Sequence, residues 1–387
     1  MAKSDKQEPR KECKNFMGFN LMSLLSIFSH FFLDFYVSFF NPLGPFIIQK
    51  FPIEIRMLTS FLALSSATAS LLQIFFGFFF DRVKYTKSLL FTMYVLEAIG
   101  VSLIGISTNF WMFISAVFVV RIANSAFHPL GASMAGEVGG RSVAFFSIAG
   151  TIGAALGPVF ISLYVSHFPI ESLWVVSLPA FILASFLLRL NIPNRTVHNS
   201  KFDLREVAKL LPILLVVTVR SFLMSVVHAY TPIYVTKIRS YSISLSGLLI
   251  TNGMIAGVFA NYLGVILMEK IGAKKQDLVA FIGMGLAIFW LISSKSVLPI
   301  FISFVLFDFF GFLLMSANVV QAQKILPNRK ALASSVAMGF AWSLGDFIAT
   351  GYNSVFGNDV VLSLGLAIPV AFVASIYFGI VQKFDTK

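Results

Sequence analysis

Residues 121–158 read RIANSAFHPLGASMAGEVGGRSVAFFSIAGTIGAALGP, and this stretch decides the fold. Arg121 and His128 stand in an otherwise apolar run, a short polar turn follows, and a glycine-rich run ends in Gly157-Pro158. A charge at the centre of a membrane span costs about 3 kcal/mol on insertion scales, so it faces a partner or a water-filled path. Closely spaced glycines let helix backbones approach one another. Together these features predict a moving, water-lined helical protein rather than a passive anchor.

The composition agrees. Of 387 residues, 57% are hydrophobic and 12% charged, with a mean hydropathy of +0.86. Soluble domains carry about 25% charged residues. Apolar runs of roughly 20 residues, the length that crosses hydrocarbon, recur from end to end. Twelve spans are expected, at 18–40, 57–80, 88–107, 110–135, 143–166, 172–191, 210–235, 245–268, 278–294, 298–322, 331–352 and 360–381. The fold class is an all-α integral membrane protein. A soluble α/β chain would have to bury nearly all of itself.

The net charge of +12 invites a nucleic-acid reading, but the placement of the charges excludes it. Of 29 Lys and Arg, only Arg121 and Arg220 fall deep inside spans. The two tails and the even-to-odd loops carry 22, whereas the opposite loops carry five: Lys50, Arg56, Lys237, Arg239 and Lys295. The positive-inside rule puts both termini in the cytoplasm, in a multi-pass protein of the cell (inner, cytoplasmic) membrane. The basic excess is a topology signal that also favours anionic lipid. The charged N-terminal tail and the long apolar segment after it, interrupted by Asp34, do not read as a cleaved signal. Cys13 is the single cysteine, so neither an intrachain disulfide nor a cysteine metal site is expected.

Residues 192–209, IPNRTVHNSKFDLREVAK, form the longest polar interval between spans. They divide the chain into a cytoplasmic tail (1–17), a six-helix bundle (18–191), the cytoplasmic linker (192–209), a second six-helix bundle (210–381) and a C-terminal tail (382–387). An internal repeat supports the division. Asp81 after span 2 and Glu269 after span 8 are 188 positions apart, each followed by a basic turn. Ser147, Ala149, Leu156 and Gly157 of span 5 recur 188 positions later as Ser335, Ala337, Leu344 and Gly345 of span 11. Parallel repeats related by an axis along the membrane normal place a substrate near the midplane between them.

Gly77-Phe-Phe-Phe-Asp81-Arg82-Val-Lys84-Tyr-Thr-Lys87 resembles the signature turn of the major facilitator superfamily, with Lys84 where a second glycine is usual. Arg121 and Gly153-x-x-x-Gly157-Pro158 resemble the buried arginine and the glycine-proline motif of its drug–proton antiporters. Narrower elements are similar to the fosmidomycin resistance protein family: Ser29-His30-Phe31-x-x-Asp34-x-Tyr36, Phe127-His128-Pro129 with Gly131, Ala149-Gly150 through Pro158, and Leu326-Pro327 with Met338-Gly339-Phe340 before Gly345. The resemblance covers the chain in order. It implies two pseudo-symmetric six-helix bundles of the major facilitator fold and a proton-coupled exporter, with the phosphonate fosmidomycin as namesake substrate.

His30 and Asp34, four apart, share one face of span 1. Asp34 is read as a proton-binding carboxylate and His30 as a second titrating or substrate-contacting group, the alternative being a structural pair. Arg121 lies about 16 Å into span 4 at about 1.5 Å per residue. It is expected to bind an anion or to pair with Asp34. The second half reverses the signs, with Arg220 on span 7 and Asp308 on span 10, and both pairs are expected to line the central cavity. Proton coupling thus falls to Asp34, Arg121, Asp308 and His30. Substrate binding falls to Arg121, Arg220, His128, Tyr36 and Asn124. Gating falls to Asp81, Arg82, Glu269, Gly153, Gly157 and Pro158. Glu97, His228 and Asp346 are open between function and structure, and no aromatic is singled out beside a cation.

The sequence has no HExxH, phosphate loop or GxSxG, so enzyme, ATP-driven and metal-centred readings lack support, and no cofactor is expected. The reading is a secondary active transporter that exchanges a small anionic or polar compound for protons across the bilayer. It works as a monomer and binds no nucleic acid. A proton-coupled uptake permease and a transporter-like receptor are the alternatives.

Overall fold

The expected apolar segments become helices because a backbone in hydrocarbon must satisfy its own polar groups. The computed structural model describes residues 21–80, 85–136, 140–190, 208–327, 333 and 336–382. Asp81 and Arg82, most of the linker and both tails lie outside these residues. In the first half, span 1 comprises Leu21–Val37 and Phe40–Lys50, and span 2 is Ile55–Phe80. Span 3 is Thr86–Ile106, span 4 is Phe110–Gly136 and span 5 is Gly140–His167. Span 6 is a tight turn, Ile170–Val175, followed by Leu178–Arg189.

In the second half, span 7 is Leu211–Ile233 extended by a π turn, Tyr234–Ile238, and span 8 is Ile243–Ile271. Span 9 is Ala273–Ser293, and span 10 comprises Val297–Leu313 and Met315–Ile325. Span 11 is a π turn, Val336–Phe340, leading into Ala341–Phe356, and span 12 is Val360–Ile376 with a closing π turn, Tyr377–Val381. Eleven of these segments are long and apolar enough among the described residues to cross a membrane. Phe28, Phe75, Trp111, Phe259 and Tyr262 are exposed on the outside, where a soluble protein would hide them.

Several boundaries differ from the sequence expectation for local reasons. Span 1 continues to Lys50 rather than ending near 40, with a break at residues 38–39. Pro42 falls at the start of the new helix, where its missing N–H costs nothing. Ser242 and Asp359 cap spans 8 and 12 by accepting from the backbone N–H of Leu245 and Leu362, at 3.2 and 2.9 Å. The turn between spans 8 and 9 passes through Gly272 at φ +81°, a conformation that only glycine adopts freely. Gly272 is the repeat counterpart of Lys84, 188 positions on.

Two seams join the halves: span 2 lies along span 11, and span 5 lies along span 8. The Val159 N–H donates to Thr251 Oγ1 at 3.1 Å, and Ser343 Oγ donates to the Ala67 carbonyl at 3.1 Å. Further polar links cluster at the end of the bundle opposite residues 21 and 382. There Asn353 Nδ2 donates to the Thr59 carbonyl, Thr59 meets Tyr230, and Ser166 meets Ser244. Asn358 accepts from the Arg56 N–H at 3.2 Å and donates to Glu54 Oε2 at 3.0 Å. The halves are therefore closed on that face.

Candidate functional site

Asp34 collects three polar neighbours at mid-depth in the first half. His30 Nε2 lies 3.1 Å from its Oδ2, His128 Nε2 lies 3.3 Å from its Oδ1, and Asn124 Nδ2 donates to Oδ1 at 2.8 Å. Helical periodicity brings them together: His30 is one turn before Asp34, and Asn124 and His128 are one turn apart on span 4. The His30 ring stacks on Phe146 of span 5, with centroids 3.9 Å apart. Span 5 comes this close because it is glycine-rich where it crosses span 1. A Cβ at Gly150 would run into the His30 ring, and one at Gly153 would run into the Phe31 carbonyl.

The expected Arg121–Asp34 ion pair is absent. Imidazole and amide nitrogens already flank both carboxylate oxygens, and Arg121 instead lies with its guanidinium 5.2 Å from the centroid of Phe40. Asp346 of span 11 interacts with it electrostatically. Asp346 accepts hydrogen bonds from Ser66 of span 2 and Ser225 of span 7. It ties the halves together at the seam between spans 2 and 11.

The second half has the same kind of centre with fewer members. His228 Nε2 lies 2.6 Å from Asp308 Oδ1, whereas Asp308 Oδ2 has no hydrogen-bond partner. The expected Arg220–Asp308 pair is absent here too, because the imidazole occupies the place beside the carboxylate. Arg220 is fully buried, stacks over Trp342 at 4.5 Å and donates to the Gly311 carbonyl at 3.4 Å. Its Nε has no hydrogen-bond partner among the described residues. Neither Arg121 nor Arg220 forms an ion pair among the described residues.

Phe40 and Trp342 thus stand beside the two arginines of the membrane interior, although the sequence singled out no aromatic for that place. The signal was available only weakly: Trp342 is one of four tryptophans and lies three residues before Gly345. His228 also gains weight, as the partner of Asp308. Tyr36 does not join the site, because it is fully buried in the packing between spans 1 and 6, donating to the Val176 carbonyl at 2.9 Å. Glu97 is buried in span 3 with neither carboxylate oxygen hydrogen-bonded.

The gating expectations divide. Gly153 and Gly157 hold span 5 against span 1 inside the first half, where a Cβ would strike the Phe31 and Phe35 carbonyls. Pro158 lies at the seam between the halves, its carbonyl against Gly247 of span 8. Glu269 is exposed near the end of span 8 and forms no ion pair among the described residues.

Two helical bundles meeting around buried carboxylate–imidazole centres and unpaired guanidinium groups define a membrane transporter for a small molecule. The sequence model of the Major Facilitator Superfamily matches residues 26–350, and the chain belongs to that superfamily. It is a multi-pass secondary transporter and not an enzyme. Among curated proteins it is 26% identical over 375 residues to the fosmidomycin resistance protein of Escherichia coli (strain K12), covering 89% of each chain. Solved structures share the fold. A nucleoside transporter, NupG, matches at TM-score 0.74 and 13% identity, over 92% of this chain and 98% of that one. A D-xylose–proton symporter matches at 0.73 and 15%, over 95% and 98%. A bacterial homologue of the lysosomal transporter Spinster, in an inward-facing state, matches at 0.70 and 14%, over 93% and 94%.

Proposed function

We propose that this chain is a proton-coupled antiporter that exports a small anionic or polar compound by alternating access. The observation that carries the reading is the pair of mid-depth guanidinium groups, Arg121 half-buried and Arg220 fully buried, that form no ion pair among the described residues. Arginine keeps its charge in a protein. An isolated buried cation is costly, and an anionic cargo would relieve that cost. Arg121 on span 4 and Arg220 on span 7 belong to different halves, so one anion held between them would draw the halves together.

Coupling is assigned to Asp308. Its Oδ1 has a single imidazole partner and its Oδ2 is free, so a proton can arrive there without breaking a network. Proton binding at Asp308 would release His228, which lies on span 7 with Arg220. Loss of a proton in one half and loss of an anion from the other can thus alternate. The 22-to-5 asymmetry of basic residues supports cytoplasmic termini in the inner membrane, with 18–191 and 210–381 as bundles joined by 192–209. On that orientation the closed face is the outer one. The protein works as a monomer, because each chain carries both halves of the site.

Fosmidomycin, a phosphonate, is the first probe, given the similarity to the resistance protein. Proteoliposomes loaded with it are placed under a pH gradient. Movement of the drug against its own gradient with opposite proton flow supports export. Co-directional flow would replace export by uptake. Binding without flux would replace transport by a receptor role.

A further inference from the structure

We propose that His30, Asp34 and His128 form a binding site for a divalent transition-metal ion of the zinc class. One donor atom from each of the three residues lies within 4.8 Å of the other two. His30 Nε2 stands 3.1 Å from Asp34 Oδ2 and His128 Nε2 stands 3.3 Å from Asp34 Oδ1, so the carboxylate faces one imidazole with each oxygen. Donors held at about 2.1 Å in a tetrahedron stand about 3.4 Å from one another. Two imidazole nitrogens and one carboxylate oxygen suit zinc, cobalt or nickel, whereas magnesium and calcium prefer all-oxygen sets.

His30 supplies an independent observation. Its Nδ1 lies 2.7 Å from the Phe146 carbonyl, which can only accept, so Nδ1 carries the hydrogen. In the neutral ring the lone pair then sits on Nε2, which faces the cluster. That Nε2 is buried and has no hydrogen-bond partner, in a side chain only 8% exposed. A metal-binding histidine is fixed in this way, its other N–H held by a backbone carbonyl. The absence of a side chain at Gly150 leaves room beside the ring and the carboxylate. Asn124 steadies Asp34 from the other side, at 2.8 Å. Asp34 and His128 are 19% and 27% exposed, so the cluster is reachable by water or an anionic oxygen that can complete the coordination.

The test is titration of cobalt(II), a spectroscopic stand-in for zinc, into the purified full-length protein. A Cys13→Ser background and a tag without histidine remove competing ligands. The wild-type site should take up one equivalent and develop the intense visible bands of four-coordinate cobalt, which zinc abolishes and millimolar magnesium leaves intact. Asp34→Asn and His128→Gln should each weaken binding by roughly tenfold or more. His228→Gln, in the other half, should leave it unchanged. X-ray absorption of the zinc-loaded wild type needs no variant and should show two imidazoles in the first shell. Absence of saturable cobalt binding, equal displacement by magnesium, or a shell without imidazole would overturn the assignment. So would unchanged affinity in both donor variants. Occupancy is read without any flux, so the site stands or falls separately from the export reading.

Discussion

His228 of span 7 holds Asp308 of span 10 at 2.6 Å, while Arg220, two turns before His228, stays apart from that carboxylate. In the first half, too, imidazoles flank the carboxylate and Arg121 stays apart from it. Each half therefore contains a carboxylate–imidazole centre and an arginine outside any ion pair among the described residues. The two kinds of group can serve different ligands.

Asp308→Asn keeps the shape of the side chain but cannot exchange a proton. Transport driven by a pH gradient should be abolished, while substrate exchange with equal pH on both sides continues. Parallel measurement of gradient-driven uptake and equilibrium exchange in proteoliposomes checks this. Full pH-driven transport in the variant would remove Asp308 from the coupling role.

Trp342 lies against the Arg220 guanidinium at 4.5 Å. A desolvated cation–π contact contributes up to about 2 kcal/mol. Trp342→Ala should leave Arg220 poorly oriented and raise the KM for an anionic substrate by roughly tenfold, with Trp342→Phe intermediate. Concentration-dependent transport rates measure both. An unchanged KM in the alanine variant would show that the stack does not serve binding.

Gly153 lies where span 5 crosses the Phe31 carbonyl of span 1. Backbone carbonyls cannot rotate away, so Gly153→Val must separate the helices. Overpacking of this kind costs about 1–3 kcal/mol. Thermal unfolding in detergent should fall by several degrees, and His30 should lose its stacking on Phe146. Wild-type stability in the variant would contradict the close crossing.

Glu54, Arg56 and Asn358 latch the halves on the closed face. The Asn358 amide first, and Arg56 next, hold the Glu54 carboxyl below its ordinary value of 4.5. Because the closed form has the depressed value, the contribution of the latch is present above the ordinary value and lost as pH falls through the lowered one. Asn358→Ala should mimic acid and increase opening on that face. Spin labels or cysteine pairs across residues 54–60 and 353–358 read the distance. An unaltered distance distribution in the variant would rule out the latch.

The twelve spans, the repeat of 188 residues and the placement of charged residues at mid-depth were legible in the sequence, because hydrocarbon leaves a chain few options. Apolar length dictates where helices lie, and a rare charge in such a run marks the interior. His30 and Asp34 could be placed on one face of span 1 from their spacing alone. Partners on different helices could not be assigned in that way. Sign suggested Arg121 with Asp34 and Arg220 with Asp308, but the lateral positions of spans 1, 4, 7 and 10 put imidazoles beside the carboxylates. Those positions depend on how closely backbones approach, and the glycines of spans 5 and 8 set that distance only once the helices are packed. The sequence by itself determined which residues lie in the membrane interior. Only the tertiary structure decided which of them touch, because contact across helices depends on crossing geometry that no local pattern encodes.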